Sequence, residues 1–246
     1  MKQVLTTKDI AGLGTIMGIW AHPDDETWGS AGVMAAAIDN GQKVVCVVAT
    51  KGEAGKTAHP DNSSKQSVSQ IREDELKNAL NIIGIDDLRL MNYSDGHLEE
   101  VSEENAVTNL LKIINEVKPD TILTFEPNGI TGHNDHKIVS KWSQAAIAQL
   151  DTKPVIYGAC ETRERYEEFG RECDKYFNVY FRVAEPVAIA EKDCDLLFKL
   201  SQTQTDQKLK AFKSYNSQYS GFFKIPQGRN YLESLSRTES FIKLNS

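Results

Sequence analysis

The segment Trp20-Ala21-His22-Pro23-Asp24-Asp25-Glu26 places one imidazole beside two adjacent carboxylates. One imidazole plus one carboxylate can bind a divalent metal, and the second carboxylate is then left to act as a base. A second segment, Gly132-His133-Asn134-Asp135-His136, supplies two more imidazoles and another acid. The chain has only five histidines, so three of them falling in two short segments points to a shared task. A three-ligand metal site with an open position needs neutral imidazoles and a carboxylate. His22, Asp25 and His136 can supply them. The spacing of His133 and His136 puts both on one side of a helical turn. One can then bind metal while the other faces a substrate, and Asp135 could orient an imidazole from behind. Each segment also has a plainer reading. His-Pro-Asp-Asp could be a turn with Asp24 or Asp25 as a helix N-cap, and His133 could simply open a helix. Taken singly the plainer reading is favoured; both segments on one sheet edge favour a site.

That edge follows from the hydrophobic pattern. Thr15 to Ala21 is an apolar run that reads as a buried strand, and Ser30 to Ile38 reads as a helix. Lys43 to Ala49 is a second strand, followed by the loop Lys51 to Gly55. Residues 56 to 66 are polar and read as an exposed or mobile loop. Ser67 to Ile83 is a helix ended by Gly84, and Leu88 to Asn92 a third strand. Ser102 to Lys118 is a helix with Val107, Leu110, Leu111, Ile114 and Val117 on one stripe, stopped by Pro119. Thr121 to Phe125 is a strand, Glu126 to Gly132 a loop, His133 to Leu150 a helix and Val155 to Ala159 a strand. This alternation predicts an α/β, Rossmann-like three-layer fold with a mostly parallel sheet. Both histidine segments then leave the carboxyl edge of the sheet, where ligands bind in open α/β folds. Beyond residue 160 the pattern changes. Glu161 to Lys175 is charged and poorly periodic, and Asn178 to Ala190 is strand-like around Pro186. Leu196 to Tyr215 is mostly helical, and the chain after Ser217 reads as irregular. No linker separates this part, so residues 1–246 are expected to form a single domain whose C-terminal strands and helices cover the active-site edge.

These residues carry a resemblance. Ala21 to Glu26 together with Gly132 to His136 resembles the LmbE/PIG-L family of metal-dependent N-deacetylases. Further similar stretches are Gly52-Glu53-Ala54-Gly55, Arg72-Glu73-Asp74-Glu75, Asp95-Gly96, and Lys208 to Phe212 with Ser217-Gln218. The resemblance implies that His22, Asp25 and His136 bind Zn²⁺, with Fe²⁺ as the other candidate. It implies that Asp24 is the general base, that His133 is the general acid or oxyanion stabiliser, and that Asp135 holds His133. Arg72, Asp95 and Glu53 are its candidates for substrate contacts. Their plainer readings are a surface ion pair between Arg72 and Glu75, a turn residue and a solvated loop charge. Two positions depart from the family: Thr131 stands where a Tyr often precedes the acid His, and Tyr215 stands where His is common.

The implied activity is removal of an acetyl group from an N-acetylated amino sugar of the N-acetylglucosamine type. Candidate substrates are a thiol precursor, a chito-oligosaccharide or a natural-product sugar. The alternatives are another small amide, such as a thiol conjugate, or a non-catalytic sugar-binding protein. A nucleotide-binding fold is disfavoured because His-Pro-Asp-Asp occupies the place of a phosphate-binding glycine loop. The net charge of −7 argues against a large nucleic-acid footprint. No apolar run suits a signal peptide or a membrane span. Four scattered cysteines suggest free thiols in a reducing compartment. A cytoplasmic protein with no stable membrane anchoring is therefore expected, and the family adds a possible homo-oligomer.

Overall fold

From Ile16 to Ala159 apolar strands alternate with amphipathic helices. In the computed structural model, which describes residues 3–55 and 65–245, this alternation folds into an α/β sandwich. The strands are β1 (Gln3–Leu5), β2 (Ile16–Trp20), β3 (Val44–Thr50), β4 (Asp87–Tyr93), β5 (Thr121–Phe125), β6 (Val155–Ala159), β7 (Leu196–Lys199) and β8 (Thr238–Lys243). The helices are α1 (Asp25–Asp39), α2 (Lys65–Ile83), α3 (Glu103–Val117), α4 (Asn134–Ala148), α5 (Arg171–Phe177), α6 (Gln202–Ser214), α7 (Asn216–Tyr219) and α8 (Pro226–Leu235). A single α-helical turn, Arg163–Arg165, and a π-turn, Tyr166–Gly170, lead into α5.

The described strands form one sheet in the order β1-β7-β8-β6-β5-β2-β3-β4. Every pairing is parallel except those of β8, which runs antiparallel to both β6 and β7. Strands β2, β3 and β5 are buried along their whole length, as continuous apolar runs in a sheet covered on both faces should be. Helices α1, α2 and α6 pack together, while α3 and α4 pack as another pair. The chain leaves β2 toward β3 on one side, and β5 lies on the other side of β2. The crevice beyond the carboxyl ends of β2 and β5 is therefore the switch point of the sheet.

Most elements stand where the hydrophobic pattern puts them. Helix α3 has Ser102 as N-cap, accepting from Asn105 N–H, and Lys118 as C-cap. The first helix begins at Asp25, five residues earlier than its apolar pattern suggests, because Asp25, Glu26 and Thr27 are buried polar residues of its first turn. The polar stretch expected as a loop over residues 56–66 lies outside the described residues up to 64, and its last two residues belong to α2.

The C-terminal part differs more. Asn178 to Ala190 is a chain of turns, joined to the rest by one isolated bridge between Thr162 and Ile189. Its β-prone side chains wall a cavity instead of entering the sheet. The expected helix over Leu196 to Tyr215 is a strand followed by a helix. A capping box at Ser201 and Gln204 marks the break. The segment after Ser217 is ordered: Pro226 opens α8 at its first turn, and β8 inserts into the sheet. The C-terminal strands thus extend the sheet, and the helices and turns between them form the cover.

One buried ion pair ties β8 and α6 to α1. Lys208 Nζ lies 2.6 Å from Glu239 Oε1, with both side chains 1% exposed. Glu239 also accepts from Gly32 N–H (2.7 Å) and Val33 N–H (2.8 Å), and Lys208 donates to the Trp28 carbonyl (3.0 Å). The pair therefore sits where Gly32 N–H and the Trp28 carbonyl would face each other in the helix ladder. Replacing Lys208 by Met should leave the Glu239 carboxylate buried without a cation. The expected loss is about 3–5 kcal/mol of stability, measured by urea unfolding.

Candidate active site

Strand β2 ends at Trp20, and the next residues turn sharply into α1. Asp24 makes this turn with φ 103° and ψ −25°, a conformation that ordinarily suits glycine. Such a backbone costs roughly 1–3 kcal/mol and persists only when neighbours fix it. They do so here: Asp24 N–H donates to Glu26 Oε2 at 3.0 Å. Asp24 occupies the N-cap position, yet its carboxylate makes no capping bond. The plainer capping reading therefore fails for Asp24, and its side chain is left for the cavity.

Three donor atoms converge beside it. His22 Nδ1 lies 3.2 Å from Asp25 Oδ2, His136 Nε2 lies 3.2 Å from Asp25 Oδ1, and the two imidazole nitrogens are 3.3 Å apart. Ligands around a tetrahedral ion at about 2.0–2.1 Å are themselves about 3.3 Å apart. The other ring nitrogens are already committed. His22 Nε2 donates to Asp95 Oδ1 (3.0 Å) and Asp135 Oδ2 (3.2 Å), and His136 Nδ1 donates to the Gly129 carbonyl (3.0 Å). Those bonds fix the tautomers so that the lone pairs of His22 Nδ1 and His136 Nε2 face one point. The donor set of two imidazoles and a carboxylate fits a divalent metal ion with an open position. His22, His133 and Asp135 also cluster. In that group, however, His22 would have to turn the nitrogen that Asp95 already holds.

The electrostatics agree with a cation site. Burial opposes charge on His22, but Asp135, Asp25 and Asp95 hold its affinity for a proton well above the usual imidazole range. Burial likewise opposes ionisation of Asp95, yet the His22 hydrogen bond brings it down to about 2. Burial pushes Asp24 up to about 8, against the pull of Arg72. Burial, with His22 and His136 nearby, holds His133 down to about 4.

The loop after β5 delivers His133 and His136. Glu126, buried at its start, accepts from Asn128 N–H and Ile130 N–H, both at 2.7 Å. Gly129, with φ 74°, lets this loop pass over His136, whose Cβ would be 2.9 Å from any Cβ placed there. Phe125 stacks on the His136 ring at 4.1 Å. His133 does open α4, as the plainer reading expects: its Nδ1 accepts from Asp135 N–H at 3.2 Å. That bond puts the ring proton on Nε2, so the same residue also presents a donor.

Three of the expected site carboxylates have protein partners of their own. The Asp135 carboxylate holds His22 and accepts from Gly96 N–H (2.8 Å), and it is the Asp135 backbone N–H that bonds His133. Asp95 lines the cavity but spends its oxygens on His22 and Ala54 N–H (2.9 Å). The Glu53 carboxylate accepts from Asp95 N–H (3.0 Å) and so steadies that loop. Arg72 is not a surface ion pair. It is buried, donating to Pro23 O (2.6 Å), Gly52 O (3.0 Å) and Asp24 Oδ2 (3.3 Å), while its Nε has no hydrogen-bond partner. Gly52, with φ 69°, leaves the space that its guanidinium fills. Glu75 pairs instead with Ser217, accepting from its N–H (2.8 Å) and its hydroxyl (2.6 Å).

Two participants went unremarked in the sequence pattern. Glu26 is fully buried and accepts from Tyr215 Oη at 2.5 Å, from Thr27 Oγ1 at 2.6 Å and from Asp24 N–H at 3.0 Å. Tyr215, the departure from the family pattern, therefore supports the turn that carries Asp24. The second is an aromatic wall on the C-terminal cover. The adjacency of Glu26 to His22 and Asp25 was visible in the sequence, but its partner lies 189 residues away.

Residues 17–147 match the family described as PIG-L: GlcNAc-PI de-N-acetylase. The chain belongs to that family. A probable N-acetyl-alpha-D-glucosaminyl L-malate deacetylase 2 of Bacillus anthracis is 31% identical over 158 residues, 63% of this chain and 70% of that protein. A 1D-myo-inositol 2-acetamido-2-deoxy-alpha-D-glucopyranoside deacetylase of Kineococcus radiotolerans is 28% identical over 54% of this chain, which spans 44% of that longer protein. Among solved structures, N,N'-diacetylchitobiose deacetylase from Pyrococcus horikoshii superposes with a TM-score of 0.71 over 94% of this chain and 83% of that one. Its 18% identity speaks to the fold alone. The shared α/β architecture is that of this family, and its relatives are named deacetylases. No helix among the described residues is long and apolar enough to cross a membrane.

Tyr215→Phe removes one donor from a buried carboxylate and adds nothing. We expect it to cost about 1–3 kcal/mol in urea unfolding, with the fold retained by circular dichroism. A variant as stable as the parent would contradict the support assigned to Tyr215.

Proposed function

We propose that the chain hydrolyses the acetamide of an N-acetylglucosamine-type amino sugar, with one divalent metal ion held by His22, Asp25 and His136. Zn²⁺ is the proposed ion, and Fe²⁺ is the alternative that the same donors accommodate. The observation that carries this reading is the convergence of His22 Nδ1, His136 Nε2 and Asp25, with the remaining ring nitrogens already bonded elsewhere. A metal ion in such a site lowers the pKa of its water to about 7 and polarises a carbonyl.

The other steps belong to the chain's own residues. Asp24 is beside the three donors and binds none of the helix's N–H groups, so it is free to take the proton of the attacking water. Arg72, 3.3 Å from Asp24 Oδ2, orients that carboxylate and opposes the rise that burial causes. His133 donates from Nε2 to the oxygen that becomes negative as the carbonyl carbon turns tetrahedral. It does so as a neutral imidazole, since its Nδ1 is occupied by Asp135 N–H. The amine must leave protonated, and Asp24, having gained the water's proton, can return it. Asp95 and Asp135 orient His22, and Glu53 steadies Asp95. Arg72 lines the cavity next to Asp24 and is the proposed side-chain contact to the sugar.

Two measurements test this reading. Asp24→Ala should retain about one equivalent of metal and lose acetate release, whereas His136→Ala should lose both. A metal-replete, active His136→Ala protein would remove the ligand assignment. Replacing His133 by Ala should lower kcat by about 10²–10³, with His133→Gln recovering part of it through its amide donor. Equal loss in the two variants would mean that hydrogen-bond donation is not the role of His133.

A further inference from the structure

The cavity over the site, about 720 Å³, has two chemically different halves. One half carries His22, Asp24, Asp25, Arg72, Asp95, His133 and His136, and is polar. The other is walled by Trp28 from α1 and by Phe177, Val179, Phe181, Phe222 and Leu232 from the cover. Phe177 and Phe222 stack with centroids 3.9 Å apart, so this wall is preformed. Among the described residues, the only charged side chain on the cover half is Arg182, which is exposed and lies over the Phe181 ring at 4.9 Å.

Phe181 links the two halves. Its ring meets His133 edge-on at 6.0 Å, yet it is 51% exposed. Three of the four exposed large hydrophobics among the described residues, Tyr176, Phe181 and Val187, lie in this same stretch of the cover. A ligand group reaching past His133 would bury the exposed face of Phe181. The cover also lines the cavity with Asn178, Gln218, Tyr219 and Tyr231, of which the Tyr231 hydroxyl is already bonded to Glu161. A polyol laid against the Phe181 ring itself would give up bonds to water for an apolar face. An aromatic or alkyl group would lose nothing and gain ring contacts.

We propose that the cover half of the cavity is a subsite for a hydrophobic aglycone, aryl or alkyl, attached to the amino sugar. This deepens the proposed deacetylase reading and rests on it for the placement of the sugar. The subsite would set this chain's preference apart from a polar dicarboxylic or inositol aglycone. It would act through the walls supplied after residue 176, beyond the stretch that matches the family.

The test compares acetate release by the metal-loaded protein from three N-acetylglucosaminides: methyl, 4-nitrophenyl and inositol. The aryl glycoside should exceed the other two in kcat/KM by at least about tenfold, mainly through KM. In Phe181→Ala the aryl-over-methyl ratio should fall at least about threefold. Phe181 is half exposed, so this variant should fold. Equal turnover of the three glycosides, or an unchanged ratio in Phe181→Ala, overturns the subsite. Calorimetric binding of the same three compounds separates the two claims. If none releases acetate but the aryl glycoside binds tightest, the subsite stands and the deacetylase reading fails. If none releases acetate and the aryl glycoside binds no better, both fail.

Discussion

The site depends on which nitrogen of each histidine is spoken for. Asp95 and Asp135 take the Nε2 proton of His22, and the Gly129 carbonyl takes the Nδ1 proton of His136. Without those bonds either ring could flip or change tautomer, and the two lone pairs would no longer meet Asp25. The acceptors come from two loops, after β4 and after β5, and from the first turn of α4. The loops therefore have to be held as firmly as the ligands. Glu53 holds the first of them by Asp95 N–H, and Glu126 holds the second through two backbone amides. The convergence of the three donors is a property of the crevice between β2 and β5, more than of the donor residues alone.

The C-terminal part supports the other side of that crevice. Helix α1 carries Asp25 in its first turn and is gripped twice from beyond residue 200. Tyr215 reaches Glu26 beneath the strained Asp24 backbone, and the Lys208–Glu239 pair enters the helix one to two turns later. A further buried group, in which Glu161 accepts from the hydroxyls of Tyr180 and Tyr231 and from Arg165 Nε, ties the cover to the end of β6. The cover is thus fastened to the catalytic layer by buried polar links, and its apolar wall can face the cavity without collapsing onto it.

Much of this was legible in the sequence, for a physical reason. Continuous apolar strands and striped helices encode the parallel layers, so β5 and β6 fall where their residues predict and α3 lies between its own caps. Short-range chemistry was equally readable, since His22, Asp24 and Asp25 are neighbours in the chain, as are His133, Asp135 and His136. What escaped was pairing across long separations. Nothing local tells that the Asp135 carboxylate holds His22 while only its backbone N–H bonds His133, that Glu75 partners Ser217 and not Arg72, or that Tyr215 reaches Glu26. The stretch Asn178 to Ala190 misled because β-prone side chains are also what a cavity wall needs. Strand β8 escaped because an antiparallel strand inserted at the end of the chain breaks the alternation that made the earlier ones visible.

The most direct test of the central claim is stoichiometric. Protein stripped by a chelator would be reloaded stepwise with Zn²⁺, and in a parallel series with Fe²⁺. Acetate released from an N-acetylglucosaminide would be followed at each step. One converging set of three donors predicts no activity in the stripped protein and a linear rise that stops at one equivalent of ion. Acetate release by the fully stripped protein, or a rise that continues to two equivalents, would contradict the single site formed by His22, Asp25 and His136.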